Sequence, residues 1–211
     1  MPPSAAATPP ARRRTRARGR ESRQKILEAA ARVAGERGYD GATIARVSKE
    51  SGLPASSIYW HFADKDALLA AVVEASFELW LGRVSLAIGA TAAEKVRALS
   101  ESVARAFRES PDFLRLGLML ALERRSDELE ARRLYLRLRH EALDRFVGEL
   151  LDERSMMSVA DARRLVTYAL AGGEGILLAA AAGDDDVDEL FALHATAVLH
   201  LADVLESGAA R

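Results

Sequence analysis

The sequence contains no cysteine, and this absence excludes disulfide bridges and thiolate-rich zinc sites. Its four histidines do not form a metal-ligand set, because His194 and His200 stand six residues apart, on different faces of a helix, and His61 is distant in the chain. The first residues lack the apolar core of a signal peptide, which argues against export. We therefore predict no metal, no cofactor and a cytoplasmic location.

Motifs of common enzyme classes are missing as well. The chain has no Gly-x-Ser-x-Gly sequence, no glycine-rich phosphate loop with a lysine, and no cysteine to pair with a histidine. These absences favour a protein that is not an enzyme. No segment alternates convincingly with a period of two, and no long internal repeat is present. The remaining periodicity is helical, so we predict an all-α fold.

The longest apolar run, residues 165–182, has one charged side chain, Glu174. Its length just reaches that of a membrane span. A carboxylate and three glycines, Gly172, Gly173 and Gly175, in the middle of the run argue against that interpretation and against a membrane partner. Each glycine costs about 1 kcal/mol relative to alanine in a helix. A buried helix that approaches a partner subunit closely accounts for all of these features.

Charge is unevenly distributed along the chain. Residues 1–68 contain 13 Lys and Arg against 7 Asp and Glu, a balance of +6, whereas the remainder contains 17 against 24, a balance of -7. Because attraction to phosphate is screened within about 10 Å in ordinary salt, the basic third is the part that would meet a nucleic acid. A flexible basic tail that serves solubility remains the alternative at this point.

Residues 1–21 are rich in proline, alanine and arginine, and six arginines precede the first acidic residue. Such a segment cannot bury enough apolar surface to order itself. We predict a disordered basic arm here, which is either inert or contacts the DNA backbone and minor groove.

Three helices are predicted after the arm, over residues 22–68. Ser22 is a candidate cap of the first helix and Gly38 a candidate stop. Thr43 is a credible N-cap for a short second helix that closes at Gly52. Pro54 suits the first position of an equally short third helix.

Six further helices are predicted, of which the first begins at Asp64 and the others lie within the helical regulatory and dimerisation domain predicted for residues 69–211. Their expected limits are Asp64 to Ile88, Thr91 to Ser110, a start at Pro111, Ser126-Asp127 to Asp152, a start at Ser158 with Asp161, and Asp186 to Gly208. The Thr91-Ala92-Ala93-Glu94 segment has the form of a capping box. We therefore expect a small three-helix head followed by a larger helical domain.

The third helix has an unusual polar and aromatic surface. With Ile58 and Phe62 turned inward, Ser56, Ser57, Tyr59, Trp60 and His61 remain on the outer arc. Large aromatic side chains are costly to leave in water, whereas beside DNA they contact thymine methyls and sugars and donate hydrogen bonds to phosphate. Packing of Tyr59 and Trp60 against the fourth helix is the alternative. Two short helices after a longer one also have the outline of a helix-turn-helix.

Residues 22–69 resemble the DNA-binding domain of the TetR (tetracycline repressor) family of bacterial regulators. The matching positions are Ile26-Leu27-Glu28-Ala29-Ala30, Gly38-Tyr39, Thr43-Ile44, Gly52-Leu53, Ile58-Tyr59-Trp60-His61-Phe62, Asp64-Lys65 and Leu68-Leu69. The spacing between these blocks also fits over almost fifty residues. The region that follows resembles the family's regulatory domain in helix count and in the run from Leu165 to Leu178.

The resemblance implies a role for each residue that occupies a contact position of the family. Phosphate contacts are expected from Thr43, Tyr59, His61 and Lys65, and base contacts from Ala55, Ser56, Ser57 and Trp60. Position 45, often a long polar base reader, is alanine here, and Arg46 is a candidate substitute. Arg46 and Lys65 as ordinary solvated charges, and His61 as a capping histidine, are the alternatives.

A small-molecule pocket among helices four to eight is a further expectation. Its predicted lining is Phe77, Trp80, Phe107, Arg115, Met119, Tyr135, Tyr168 and Glu174, with Glu174 or Arg115 as polar anchor. Aromatic residues and methionines at helical spacing are more often plain core, and this alternative stays open.

The last helix is apolar on two sides, which predicts one stripe for its own subunit and one for a partner. The residues expected at a homodimer interface are Leu170, Ile176, Phe191, His194, Val198, Leu201 and Leu205. The second stripe consists of Leu190, Leu193, Ala197 and Val204. A dimer of helix-turn-helix heads would read half-sites about 34 Å apart, or a multiple of that distance.

The sequence thus predicts a sequence-specific, double-stranded-DNA-binding transcriptional regulator, a repressor released from a palindromic operator by an unknown small-molecule effector. A helical protein-interaction module, or a small-molecule-binding protein without a DNA function, is the alternative. Either alternative leaves Tyr59-Trp60-His61 and the basic N-terminal third unexplained.

Overall fold

A computed structural model of the protein describes residues 11–83, 91–109, 112–122, 129–183 and 185–209. Within these ranges it has nine α-helices and no strand, which confirms the all-α prediction. The helices are α1 (Ala11–Gly41), α2 (Ile44–Ser51), α3 (Ala55–His61), α4 (Lys65–Arg83), α5 (Ala92–Glu109), α6 (Asp112–Leu122), α7 (Glu130–Glu153), α8 (Val159–Ala182) and α9 (Val187–Ala209).

Helix α1 begins eleven residues earlier than the sequence pattern predicted. The prediction of a disordered arm is wrong for residues 11–21, which are helical, and Ser22 is inside the helix instead of capping it. Alanine and arginine are both strong helix formers, and no proline interrupts residues 11–21, so helix propensity prevails over the lack of apolar surface. Residues 1–10 of the predicted arm lie outside the described residues. The predicted stop at Gly38 is confirmed by a break in α1, with φ 71° and ψ -179°.

Four predicted helix caps are confirmed by a side-chain oxygen that accepts a backbone N–H. The acceptors are Thr43 Oγ1 (3.3 Å), Asp64 Oδ1 (2.8 Å), Thr91 Oγ1 (3.3 Å) and Ser158 Oγ (3.0 Å). Each such cap contributes about 1 kcal/mol. Pro54 is the N-cap of α3 and not its first residue. The predicted starts at Pro111 and Ser126-Asp127 and the predicted end at Ile88 lie outside the described residues.

The helices form two compact units, the first ending at Val72 and the second beginning at Val73. In the first unit α1, α2 and α3 pack against one another. The core of this unit includes the buried side chains of Ile26, Val47 and Ile58. Full burial of a side chain of this size stabilises the fold by about 1.5–3 kcal/mol.

In the second unit α5 packs on α9, α9 on α8, α8 on α7 and α7 on α6. One core cluster joins α7, α8 and α9 through Leu143, Leu165 and Ala202, and another joins α5, α8 and α9 through Ala104, Leu177 and Phe191. Helix α7 is highly charged, as its composition indicates, but it also buries one face that includes Tyr135.

Helices α6 and α7 approach closely at Gly117. A methyl group placed there would come within 2.1 Å and 2.6 Å of the Tyr135 ring, which is buried. The absence of a side chain at position 117 therefore allows the tyrosine to pack.

We expect Gly117→Ala to destabilise the fold by up to about 2 kcal/mol, because an overpacking cost of about 1–3 kcal/mol opposes the roughly 1 kcal/mol gained in helix propensity. The matched control is Gly148→Ala in α7, where the added methyl group meets nothing within 4 Å. The control should gain up to about 1 kcal/mol. Urea denaturation of both variants measures the difference, and equal midpoints would contradict the proposed contact.

Candidate nucleic-acid interface and ligand cavity

The second and third helices of the head are joined by a tight turn. Gly52 ends α2 in the left-handed conformation, with φ 70°, and Ser48 Oγ donates to the carbonyl oxygen of Leu53 at 2.7 Å. Ile58 is fully buried and Phe62 nearly so, as the sequence predicted. These two anchors fix which side of α3 faces outward.

The outward side of α3 presents two large aromatic side chains to solvent. Trp60 is 76% exposed and Tyr59 57% exposed. Ser56 is exposed beside them, and Ala55 and Ser57 are half-buried. The alternative that Tyr59 and Trp60 are tucked into the protein interior is therefore wrong.

Trp60 also contacts neighbouring elements at its edge. Its ring meets that of His61 edge-on, with centroids 4.5 Å apart. A methyl group at Gly19 of α1 would be 3.8 Å from the indole, so the N-terminal part of α1 passes beside the exposed ring. The position of Trp60 is thus defined without being buried.

Thr43 and Arg46 lie at the start of α2, and both are exposed. The Thr43 hydroxyl oxygen accepts the N–H of Arg46 as a helix cap, and a hydroxyl in this role still has its own proton to donate. Arg46 Nη1 donates to the carbonyl oxygen of Gly41 at 2.8 Å. This bond holds the guanidinium close to the turn before α2.

Lys65, at the start of α4, is more constrained than a solvated charge. Its Nζ donates to the carbonyl oxygen of Tyr39 at 3.2 Å, lies 4.0 Å from the centre of the Tyr39 ring, and is 3.8 Å from a carboxylate oxygen of Asp40. The alternative of an ordinary solvated lysine does not describe this side chain. Its ammonium group is held at the start of α4.

His61 is half-buried at the end of α3, and its pKa is lowered from the ordinary value of 6.5. The larger cause is burial, which disfavours the charged imidazolium, and the second is the positive charge of Arg23. Arg23 lies over the neighbouring Phe62 ring, 5.4 Å from its centre. The sequence pattern did not single out Arg23, because its position over Phe62 depends on how α1 packs beside the end of α3.

The second unit contains a cavity of about 490 Å³ between α5, α7, α8 and α9, with α4 and α6 at its margin. This volume is within the usual range for small-molecule sites. Of the eight residues predicted to line a pocket, Phe77, Trp80, Tyr135 and Glu174 do so.

The other four predicted pocket residues do not line this cavity. Phe107 packs on the cluster of Ala104, Leu177 and Phe191. Arg115 is exposed, Met119 is half-buried, and Tyr168 is largely exposed on α8. Helical periodicity could not distinguish these orientations because it does not define which neighbour each face meets.

Glu174 pairs with a residue that the sequence pattern missed. Arg139 Nε and Nη2 donate to the two carboxylate oxygens of Glu174 at 2.8 Å and 3.2 Å, joining α7 to α8. Burial and the Glu174 charge raise the pKa of the neighbouring Tyr135 hydroxyl to about 12, so this tyrosine stays neutral. The predicted anchor is therefore half of an ion pair.

Each residue of the predicted interface stripe has packing partners within its own subunit, and the interface itself stays a prediction. Phe191 is buried against Ala104 and Leu177, and Ile176 packs on the same cluster. Leu170, Val198, Leu201 and Leu205 pack on the cluster around Leu165, and His194 Nε2 lies 2.9 Å from the carbonyl oxygen of Ala169. Both stripes of α9 are apolar, so the sequence alone could not assign them.

The three glycines of α8 have different surroundings. A methyl group on Gly172 would lie 2.3 Å from the His194 ring of α9, and one on Gly173 would lie 3.7 Å from Phe191. Gly175 has nothing within 4 Å. The close approach predicted with a partner subunit is, at Gly172, an approach within the same chain.

An apolar surface remains on the outer side of α8 and α9. Leu178 and Leu193 are both 68% exposed, and Tyr168 and Val204 are exposed as well. Two segments, Val159–Ala182 and Val187–Gly208, are long and apolar enough to cross a membrane, and 17% of each apolar window is buried. The second stripe of α9 is therefore the one that faces outward.

Comparison with known proteins relates the first unit to a family. Residues 26–72 match the family model described as bacterial regulatory proteins, tetR family. The matched range contains α2, α3 and most of the residues predicted to contact DNA.

Curated relatives align over a similar range. An HTH-type transcriptional repressor, AcnR of Corynebacterium glutamicum, is 45% identical over 51 residues, which are 24% of this chain and 27% of the relative. The regulator AcrR of Shigella flexneri is 34% identical over 64 residues, 30% of each chain. A transcriptional repressor of Mycobacterium tuberculosis is 34% identical over 102 residues, 44% of this chain and 54% of the relative. The chain thus spans from about a quarter to about half the length of these relatives.

Solved structures are similar over most of the chain. FadR of Bacillus halodurans gives a TM-score of 0.70 at 16% identity, with 84% of this chain and 94% of that chain covered. FadR of Bacillus subtilis, in complex with stearoyl-CoA, gives 0.67 at 22% identity, with 85% and 96% covered. At these identities the likeness establishes a shared fold.

We expect Arg23→Gln to raise the pKa of His61 towards 6.5 without reaching it, because the substitution removes the charge and leaves the burial. The folded protein binds the His61 proton more weakly than the unfolded chain does, so the free energy of unfolding falls as the pH drops below 6.5. This free energy should fall less in the variant than in the wild type. An NMR titration of the imidazole measures the shift. Arg32→Gln is the control, since Arg32 pairs with Glu50, and an equal shift there would refute the role of Arg23.

Proposed function

We propose that the chain is a sequence-specific DNA-binding transcriptional regulator of the tetR family, whose family model matches residues 26–72. It acts as a repressor that leaves a palindromic operator when a small molecule binds. The observation that carries this proposal is the exposure of Trp60 and Tyr59 on a short helix that Ile58 anchors from behind.

The outer side of α3 has the chemistry that DNA recognition requires. Trp60 and Tyr59 combine a large apolar surface with one hydrogen-bond donor each, which suits contact with sugars, thymine methyls and phosphates. Ser56 and Ser57 add hydroxyl groups, and Ala55 leaves room for close approach. In this proposal Ala55, Ser56, Ser57 and Trp60 face the base edges of the major groove.

Phosphate contacts fix the register of the head on the duplex. Thr43, Tyr59, His61 and Lys65 supply them in this proposal. The bonds of Lys65 to Tyr39 hold its ammonium group at the start of α4, so less side-chain freedom is lost on binding. Arg46 contributes positive charge at the start of α2 while it stays bonded to Gly41.

The N-terminal part of α1 extends the basic surface. Arg18 and Arg20 are exposed on either side of Gly19, the residue that Trp60 approaches. Their charges therefore lie close to the proposed reading surface. We assign to them contacts with phosphates that flank the half-site, which strengthen binding to all sequences alike.

A homodimer gives the exposed apolar side of α8 and α9 a function. Leu178, Leu193 and Val204 are each more than half exposed. Exposed apolar surface of this kind commonly marks an interaction site. Two copies related by a two-fold axis would bury these faces in a four-helix interface, and the same axis would pair two heads for two half-sites. The partner in this proposal is a second copy of the chain, not a membrane.

The cavity of the second unit is the proposed effector site. A ligand relieves repression when it binds more tightly to a conformation in which the two heads do not match the groove. FadR of Bacillus subtilis, which shares the fold, binds stearoyl-CoA. For the present chain we propose a cytoplasmic regulator without enzymatic activity and with one effector site per subunit.

We expect Trp60→Ala to weaken binding to operator fragments at least tenfold, because the variant loses a large contact surface but no charge. Lys65→Gln should weaken binding to all duplexes and reduce the slope of log K against log salt by about one unit. Fluorescence anisotropy with duplexes selected from the source genome measures both affinity and slope.

The controls for this experiment lie outside the head. Leu79→Ala removes another exposed large side chain, and Arg145→Ala removes another exposed charge, here one paired with Glu149. Both controls should bind as the wild type does. A wild-type protein that passes through a duplex-DNA column at low ionic strength would refute the proposed function and favour a protein-interaction module.

We expect the double variant Leu178→Glu, Leu193→Glu to sediment as a monomer at micromolar concentration, because two carboxylates per subunit would be desolvated in the interface. The control is Met156→Glu, which introduces the same charge at an exposed position of the α7–α8 loop. Sedimentation equilibrium distinguishes them. If the wild type is itself monomeric under these conditions, the dimer is refuted.

A further inference from the structure

The lining of the cavity in the second unit extends along two helices. Along α8 it extends from Leu165 to Leu177, and along α9 from Phe191 to Ala202, so it follows each helix for about 17–18 Å at 1.5 Å per residue. An extended molecule of this length can contact the whole of this lining.

The middle of the cavity offers apolar contact and few polar groups. Leu99, Phe146 and Val198 lie along it. The described polar side chains of the lining include Ser100 and His194, and both are bonded within the protein. Ser100 Oγ donates to the carbonyl oxygen of Phe191 at 2.8 Å, and His194 Nε2 is 2.9 Å from the carbonyl oxygen of Ala169. The central section therefore selects for apolar surface.

One charged pair lies in the wall between α7 and α8. Arg139 and Glu174 form a bidentate, half-buried ion pair, in which two N–H groups of the fork meet both carboxylate oxygens. Together the two side chains contribute no net charge. A ligand carboxylate would have to displace Glu174 from Arg139, and a ligand cation would have to displace Arg139 from Glu174.

The remaining charges of the cavity lie where α7 ends and α5 begins. Lys95 pairs with Glu153, Glu149 with Arg145, and Arg154 with Asp203 and Glu206. Asp152 is exposed to solvent. Among the described residues around the cavity, each charged side chain thus has an opposite charge beside it or contact with water.

We propose that this cavity binds an uncharged, elongated apolar molecule, such as a long-chain alcohol or ester, because the charges in its wall are already neutralised within the protein. A formal charge on the ligand would be desolvated without a counter-ion, which costs several kcal/mol. The assignment of this molecule as the effector rests on the proposed function of the protein as a regulator.

The test uses three probes with the same twelve-carbon chain and different head groups: dodecan-1-ol, dodecanoate and dodecyltrimethylammonium, all below the concentrations at which they form micelles. The chain has two tryptophans, Trp60 and Trp80. In a Trp60→Phe background, Trp80, which lines the cavity, is the remaining tryptophan and its fluorescence reports occupancy. The increase in Tm with ligand concentration gives a second measure of affinity.

We expect the alcohol to bind at least tenfold more tightly than either ion. Glu174→Gln should increase the affinity for dodecanoate about tenfold, because it frees the Arg139 charge, and should change the affinity for the alcohol less than threefold. Arg139→Gln should increase the affinity for the ammonium probe in the same way. Ala142→Leu fills part of the cavity and should weaken binding of the alcohol. Ala160→Leu changes an exposed residue at the start of α8 and should leave this binding unchanged.

The proposal would be overturned if the wild-type protein, with Arg139 and Glu174 both present, binds either ion more tightly than the alcohol. It would also be overturned if neither the fluorescence nor the Tm detects binding of the alcohol. If Ala142→Leu and Ala160→Leu change the affinity for the alcohol equally, the alcohol binds outside the cavity, and this result would also overturn the proposal. DNA binding of the wild-type protein is measured in parallel. A protein that binds duplex but not the alcohol refutes this inference alone, and one that binds the alcohol but no duplex refutes the proposed function.

Discussion

The burial of Ile58 beneath α3 is the contact on which the first unit depends. A helix of seven residues is too short to be stable by itself, so its orientation comes from packing and not from propensity. Ile58 on the inner side, with Phe62 at the helix end, turns Tyr59 and Trp60 outward. The cap at Thr43 and the left-handed Gly52 hold α2 in the position that α3 packs against. The proposed reading surface is thus a consequence of what the inner side buries.

Features of the first unit that have a local physical cause were predictable from the sequence. A hydroxyl or carboxylate before an apolar repeat marks a helix start, and a glycine after it marks a stop, so Thr43, Asp64 and Gly52 were recognised. The same holds for the Thr91–Glu94 capping box of the second unit. The start of α1 was missed because composition suggested disorder, whereas alanine and arginine have high helix propensity even without an apolar face.

Features of the second unit that depend on partners were harder to predict. Helix α9 has two apolar stripes, and the pattern alone does not indicate which one meets α5 and α8; the stripe with Phe191 is internal. The sequence pattern did not identify Arg139, because its ion-pair partner, Glu174, is thirty-five residues later in the chain. The same limitation explains why only half of the predicted pocket residues line the cavity. Periodicity assigns residues to a face, but the neighbour of that face is set by tertiary packing.

The continuous helix α1 has a consequence for how its arginines would meet a polyanion. From Ala11 to the break at Gly38 it spans about 40 Å at 1.5 Å per residue. A disordered segment loses conformational entropy when it settles on a duplex, and part of its electrostatic attraction is cancelled by that loss. Arginines carried on a helix that is already folded avoid this loss. The helix also fixes the spacing of these arginines before they would meet a phosphate backbone.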